Sequence, residues 1–244
     1  LDFHIGTEAI AKAKTYRLTY PIRSGMIENW EHMEKFWHRS LYHYLRADPE
    51  NHYVILTEPP MNTPENREQM AEIFFETFNV EGLYIGVQAV LALYAGVIAK
   101  NKAEEGATDL KPEQLTGTVV DSGDGVTHVI PVVDSFVVGS CIKHIPLAGR
   151  DITKFILEMM RERGEKFPIE DSIYVAQQVK EKFGYVCEGD LVAEFQKYDK
   201  KIKENGKLSQ SPEFLKLETV GPISKTNISV DVGYERFLGP EMFF

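Results

Sequence analysis

A chain of 244 residues with 43% hydrophobic and 26% charged side chains is long enough to bury a sizeable core, as one large domain or as two halves about a cleft, and is excluded from the disordered class. Its formal charge of -10 sets the net field against nucleic acid and anionic lipid, so no nucleic-acid partner is expected and any phosphate it binds must be held locally. Only two cysteines occur, Cys141 and Cys187, in neither a CxxC pair nor a metal-ligand cluster, and both read as small core residues in a reducing cytosol. The longest apolar stretch, 87–99, is too short to span a bilayer, which predicts no membrane insertion. The opening Leu-Asp-Phe-His-Ile-Gly has no initiator Met and no signal-peptide pattern, so the chain is expected to begin within a longer protein.

Taken in chain order, Ile27, Trp30, Met33, Phe36, Trp37, Leu41, Tyr44 and Leu45 recur at helical spacing, with Glu34, Lys35 and Arg39 on the other side. The stripe reads as core, and His32, His38 and His43 do not share a face that would hold a metal. Residues 53–57 form a short apolar run closed by Glu58-Pro59-Pro60, the pattern of a buried strand. Thr63 as N-cap and Pro64 in the first turn predict a helix carrying Met70, Ile73, Phe74 and Phe78. A second strand, 83–87, and a helix over 88–99 follow. Strands joined by crossover helices imply parallel pairing with both sheet faces covered.

Residues 99–115 break the pattern and read as a solvated connection. Three strands are expected next, over 117–121, 126–133 and 136–142, then helices over 149–161 and 169–183. A polar stretch, 198–211, leads to a strand pair over 214–220 and 227–232. The order αβαβα then βββα matches the tail of one βββαβαβα unit and the head of a second, so the fold class is a duplicated α/β fold. Three strands are expected before Leu1, and more structure after Phe244.

The sharpest local signal is Asp121-Ser-Gly-Asp-Gly-Val-Thr-His128 between two apolar strands. Gly123 and Gly125 would let backbone N–H groups approach phosphate oxygens, Asp121 could hold a hydrated magnesium ion, and His128 is near enough to orient a water. A plain Asp-Gly hairpin turn explains the same residues equally well. A calcium loop is rejected, because the acidic ligand required at its twelfth position is here Val132. Gln88 stands where a strand becomes a helix, a place that often presents polar groups to a cleft, though alone it reads as a solvated helix start. Gly149 offers a small residue at another helix start; Lys180, Glu181 and the lysines over 197–207 read as surface charge.

Together these segments resemble the actin family along nearly the whole chain: residues 20–25, 56–60, 66–68, 75–79, 88–94, 121–128 and 147–151 are similar to actin's corresponding stretches, in the same order. Residues 139–146 and 230–241 look like an actin-related protein rather than actin itself, and the longer connection over 99–115 agrees. The resemblance implies a ribonuclease H-like fold of two lobes around a cleft holding ATP or ADP with Mg2+ or Ca2+. Residues 1–95 would finish the first lobe, with a small subdomain to about 19, and 96–244 would begin the second, with its small subdomain from about 148. Residue by residue, Asp121 and Gln88 match positions that contact the hydrated metal, and Asp124, Gly125 and Val126 match the second phosphate-binding loop. Gln88 and His128 match the positions that arrange the attacking water, and Gly149, Lys180 and Glu181 match contacts to ribose and adenine. Gln177 departs from the family's arginine beside adenine. The first phosphate loop and the Gly-Gly adenosine motif fall outside the chain, which therefore carries half of the pocket.

The implied role is assembly rather than catalysis: an ATP-binding subunit of a cytoplasmic complex that nucleates branched actin filaments. Its partners would be a second actin-related protein, the other subunits, actin and nucleation-promoting factors. A sugar kinase-like or chaperone-like enzyme on the same fold, and conventional actin, are the alternatives.

Overall fold

The computed structural model describes residues 3–23, 25–103, 115–205 and 215–244. The chain packs as two units, one formed by Leu1–Leu18 with Gly149–Phe244 and the other by Thr19–Ala148. It opens with a short helix, α1 (Gly6–Ala11), in the first of these.

The Thr19–Ala148 unit begins with a small antiparallel pair, β1 (Ile22–Arg23) and β2 (Met26–Ile27), so Ile27 closes a strand instead of opening the expected helix. That helix, α2, runs Trp30–Arg39, and Asn29 caps it by accepting the His32 N–H at 2.8 Å. It widens into a π-helical turn over Ser40–Leu45, where Ser40 Oγ donates to the Phe36 carbonyl at 2.7 Å. Strand β3 (Tyr53–Glu58) and helix α3 (Pro64–Glu72) lie where expected, with Thr63 Oγ1 accepting from Asn66 N at 3.3 Å. Strand β4 (Gly82–Val87) pairs with β3 in parallel, from Tyr53 opposite Gly82 to Glu58 opposite Val87.

One face of this pair is covered as expected and the other is not. Val54, Leu56 and Leu83 pack against Trp30, Trp37, Phe74 and Phe78, whereas Tyr53, Ile55 and Tyr84 on the opposite face are largely exposed. The reason lies in the next helix. Helix α4 (Gln88–Ala103) leaves β4 to pack on the following sheet, placing Ala89 and Leu93 against Val119, Ile130 and Val132. Residue 96, the expected lobe junction, lies inside α4.

A buried carboxylate fixes the end of β3. Glu58, 1% exposed, accepts from Asn62 Nδ2 at 3.0 Å and from Arg67 Nε at 2.8 Å, and Arg67 Nη2 reaches its other oxygen. Hydrogen bonding to Glu58 raises the Arg67 guanidinium above its ordinary value. The pair ties the strand end to the first turns of α3, which explains why Glu58-Pro-Pro and Asn66-Arg occur together.

The second sheet contains β5 (Gly117–Ser122), β6 (Thr127–Val133), β7 (Phe136–Val137) and β8 (Lys143–Ile145). Strand β5 pairs antiparallel with β6 along one edge, and β7 and β8 share the other. The single strand expected over 136–142 is thus broken. Asp134 and Ser135 take positive φ values of 48° and 70° to turn β6 into β7, and a 3-10 turn over Gly139–Cys141 then resets the chain before β8. Cys141 is exposed in that turn and Cys187 is half-buried, so neither is the core residue expected. The connection read over 99–115 begins as the last turn of α4, and 104–114 lie outside the described residues.

In the other unit, α5 (Gly149–Glu162) and α6 (Ser172–Phe183) pack on β9 (Leu215–Val220) and β10 (Asn227–Val232), an antiparallel pair. Ile156, Met160, Val175, Val179, Leu217 and Val230 form the core. Helix α7 (Leu191–Asn205) occupies much of the stretch read as a polar loop; Asp190 Oδ1 caps it, accepting from Val192 N at 3.0 Å and Ala193 N at 3.2 Å. The last α-helix, α8 (Glu235–Leu238), buries Glu235 beside Arg163, at 2.8 Å. Burial pushes the Glu235 carboxyl up, against the opposing pull of Arg163 and the Gly233 N–H.

The β9–β10 turn is clamped from outside. Asp171, fully buried, accepts from Ile223 N at 2.9 Å and Ser224 N at 3.0 Å. Burial acts to raise its carboxyl, but hydrogen bonds from Ser224 and Ile223 outweigh it and hold the group below the ordinary aspartate value. A side chain on Gly221 would overlap Asp171 Oδ2 and Ser224 Oγ.

Urea denaturation of the full-length protein tests the buried carboxylates Asp171 and Glu58. Gly221→Ala and Asp171→Asn each lower stability by about 1–3 kcal/mol, the first by crowding the clamp and the second by setting an amide donor against a backbone N–H. Because the native Asp171 value is depressed, its contribution is complete above the ordinary aspartate value and is lost as pH falls through the native one. The gap between parent and Asp171→Asn therefore narrows in acid; a constant gap refutes the clamp. Glu58→Ala costs about 1–3 kcal/mol and Glu58→Gln clearly less, since the half-exposed Arg67 can return to water but Asn62 loses its acceptor.

Candidate functional site

Strand alternation decides which side chains of the second sheet share a face. Val119 faces Ile130 across β5–β6, and both pack toward α4. Two residues further along, Asp121 faces His128 in the same register, so this pair extends the α4 face toward the hairpin tip. His128 in turn stands opposite His144 of β8. A row of three side chains, Asp121, His128 and His144, therefore crosses three adjacent strands. Gln88 opens α4 on this same side of the sheet, next to the fully buried Ala89, and its Nε2 donates to Thr57 Oγ1 at 3.3 Å across the carboxyl ends of the parallel pair.

The tip itself is a hairpin, closed by Gly123 N donating to Val126 O at 3.1 Å, with 124–126 beyond the last paired residues. Neither Gly123 nor Gly125 has a positive φ, and a Cβ on Gly123 would make only ordinary contact with Val126 O at 3.6 Å. Backbone strain is thus not what the glycines relieve, contrary to the conformational part of the sequence reading. Asp124 is exposed, Gly125 half-buried and Val126 buried. Thr127 anchors the base of the hairpin, donating to the Leu147 carbonyl at 2.7 Å and sharing a hydrogen bond with Ser122 Oγ at 2.8 Å.

Asp121 is half-buried, and among the described residues no hydrogen bond or ion pair occupies its carboxylate. His128 is 6% exposed, with its Nε2 3.1 Å from His144 Nδ1. Burial, then the neighbouring His144, lower the imidazole from the ordinary histidine value, against the pull of Asp121. An uncommitted carboxylate at a strand end, beside an open backbone turn, fits a hydrated divalent cation with phosphate oxygens. Among the described residues no cluster of three His, Cys, Asp or Glu side chains could hold a metal directly, so a cation here would keep most of its waters.

The remaining expected contacts lie in the other unit. Gly149 begins α5, and its carbonyl accepts from Lys180 Nζ at 2.9 Å, which joins the α5 start to α6. Glu181, exposed on α6, accepts from Gln177 Nε2 at 2.7 Å, so the residue that departs from the family's arginine is paired with an expected adenine contact. Lys180 is therefore more than the solvated charge its position in a helix suggests. Sequence reasoning missed His144, because its place opposite His128 depends on the break between β7 and β8. It also passed over the Glu58–Arg67 pair, whose signal was present in the co-occurrence of an acidic strand end with Asn66-Arg67.

Comparison with known proteins identifies the family. Residues 2–244 match the family described as Actin. Over the whole chain the sequence is 54% identical to "Actin-related protein 3" of Acanthamoeba castellanii, covering 53% of that protein, and 53% identical to the protein of that name from Dictyostelium discoideum, covering 54% of it. It is 54% identical to the Drosophila melanogaster protein of the same name, again covering 54%. The chain thus spans about half the length of the curated relatives it matches, and it belongs to the actin family.

Proposed function

We propose that this chain is part of an ATP-binding subunit of the complex that nucleates branched actin filaments, acting with actin-related protein 2 to imitate a filament end. The observation that carries the nucleotide part is the Asp121–His128 pair at the base of an open hairpin, with Gln88 on the same side of the sheet. The high identity to relatives named actin-related protein 3 supports the assembly part.

In this reading Asp121 and Gln88 hold the waters of Mg2+ or Ca2+, and Asp124, Gly125 and Val126 present backbone to the phosphates of ATP or ADP. The cation supplies the positive charge that an acidic chain lacks. His128 and Gln88 orient a water, permitting slow hydrolysis that serves as a switch rather than as turnover of a substrate. Gly149, Lys180 and Glu181 are the proposed ribose and adenine contacts. A nucleotide that binds one conformation of the full-length subunit more tightly shifts the population toward it, which is how binding would bias assembly. The proposed setting is the cytoplasmic actin cytoskeleton, with actin, the other complex subunits and nucleation-promoting factors as partners. Among the described residues no helix is long and apolar enough to cross a membrane.

Asp121→Ala in the full-length subunit, assembled into the complex, is expected to weaken magnesium-dependent ATP affinity about 10- to 100-fold and to reduce branch formation in a fluorescence filament assay. Unchanged affinity sinks the site assignment. Purification of the full-length parent without actin-related protein 2 sinks the assembly role.

A further inference from the structure

Two neutral imidazoles joined by a hydrogen bond take opposite roles: one nitrogen carries the proton and the other presents its lone pair. His128 Nε2 and His144 Nδ1 stand 3.1 Å apart, with ring planes at 67° and centroids 4.9 Å apart. The two rings sit in different surroundings, His128 being buried and His144 exposed. A solvated imidazole favours the proton on Nε2, which leaves its Nδ1 as an acceptor. His144 then accepts, His128 donates through Nε2–H, and His128 Nδ1 keeps a bare lone pair.

We propose that His144 is a positioning residue for His128: by accepting Nε2–H across the β6–β8 pair, it fixes the buried imidazole in the tautomer whose Nδ1 accepts a hydrogen bond, the state needed to orient a water. The inference rests on the nucleotide reading of the hairpin. Its geometric basis is the strand register, which sets Asp121 on one side of His128 and His144 on the other. Loss of His144 would leave Nε2 of a buried ring without its partner, and both tautomers would then be populated. Because His144 is exposed, replacing it leaves no core cavity, so a change at His128 reports on the hydrogen bond rather than on packing.

The test is heteronuclear NMR of the full-length protein with isotope-labelled histidine, whose ring-nitrogen shifts separate bare from protonated nitrogens. In the parent, His128 Nδ1 is expected at the bare-nitrogen shift. His144→Leu should move it to a population-weighted intermediate, and His144→Asn, whose Oδ1 can accept in place of Nδ1, should restore it. A protonated Nδ1 in the parent, a shift indifferent to His144→Leu, or failure of His144→Asn to restore it each overturns the proposal. ATP affinity measured by calorimetry on the same samples separates the two readings. A parent that does not bind ATP defeats the nucleotide reading and with it the water-orienting role, whereas a parent that binds ATP while its tautomer ignores position 144 defeats the proposal alone.

Discussion

Strand β6 is the member of its sheet with neighbours along both edges, and its register governs what the site can be. Alternate residues Ile130 and Val132, each 1% exposed, are driven against α4, and the period of two then forces His128 onto the same face. A slip of one residue would turn those two side chains to the opposite face and forfeit about 1.5–3 kcal/mol for each. The apolar core thus fixes much of the polar row: Asp121 meets His128 because Val119 meets Ile130 two residues away, and the separate pairing of β6 with β8 brings His144 to the other side.

Much of this was legible in residue patterns. The Thr63-Pro64 helix start, the parallel pairing of β3 with β4 and the β9–β10 pair all follow from local signals that tertiary packing reinforces. The failures share a cause. Residues 136–142 carry enough apolar side chains for a strand, but Asp134 and Ser135 form a tight turn without the usual glycine, and Gly139 then breaks the run. In α7, lysine-rich composition masked a helix whose Asp190 cap and Glu194–Lys197 ion pair, 2.7 Å long, were present in the sequence. At the site, Asp121 and His128 were legible because they bracket one hairpin. His144 was not, since its partner lies 16 positions away across an irregular turn.

The unit holding α5 and α6 solves a different problem, because its sheet has only two described strands and its polar groups lie deep. The burial of Asp171 is offset because its carboxylate accepts from two backbone N–H groups that would otherwise be left without acceptors at the β9–β10 turn. Arg163 and Glu235 are less fully met: Arg163 also donates to the Asp231 carbonyl, yet among the described residues its Nε and Nη1 and the second Glu235 oxygen have no partner. Such a pair adds little net stability compared with apolar packing, but it ties the end of α5 to β10 and α8. Lys180, bonded to the Gly149 carbonyl, holds the other end of α5 to α6 in the same way.

Charge narrows what the hairpin can bind. With 37 acidic against 27 basic residues, the chain offers phosphate no favourable long-range field. Distant acids are screened within a Debye length of about 8 Å, so the nearest groups decide the outcome. Asp121 alone would repel an anion: like unit charges 4 Å apart cost about 4 kcal/mol at an effective dielectric near 20. His128 does not compensate, because burial and His144 lower its proton affinity and leave it neutral near pH 7. The hairpin suits a phosphate only when a divalent cation arrives with it, reversing the sign of the Asp121 contribution. Under the proposed function, metal and nucleotide would therefore reach this site as one ligand. A neutral His128 cannot attract a phosphate by charge, so the role the proposed function leaves to it is the directional one of a hydrogen bond to water.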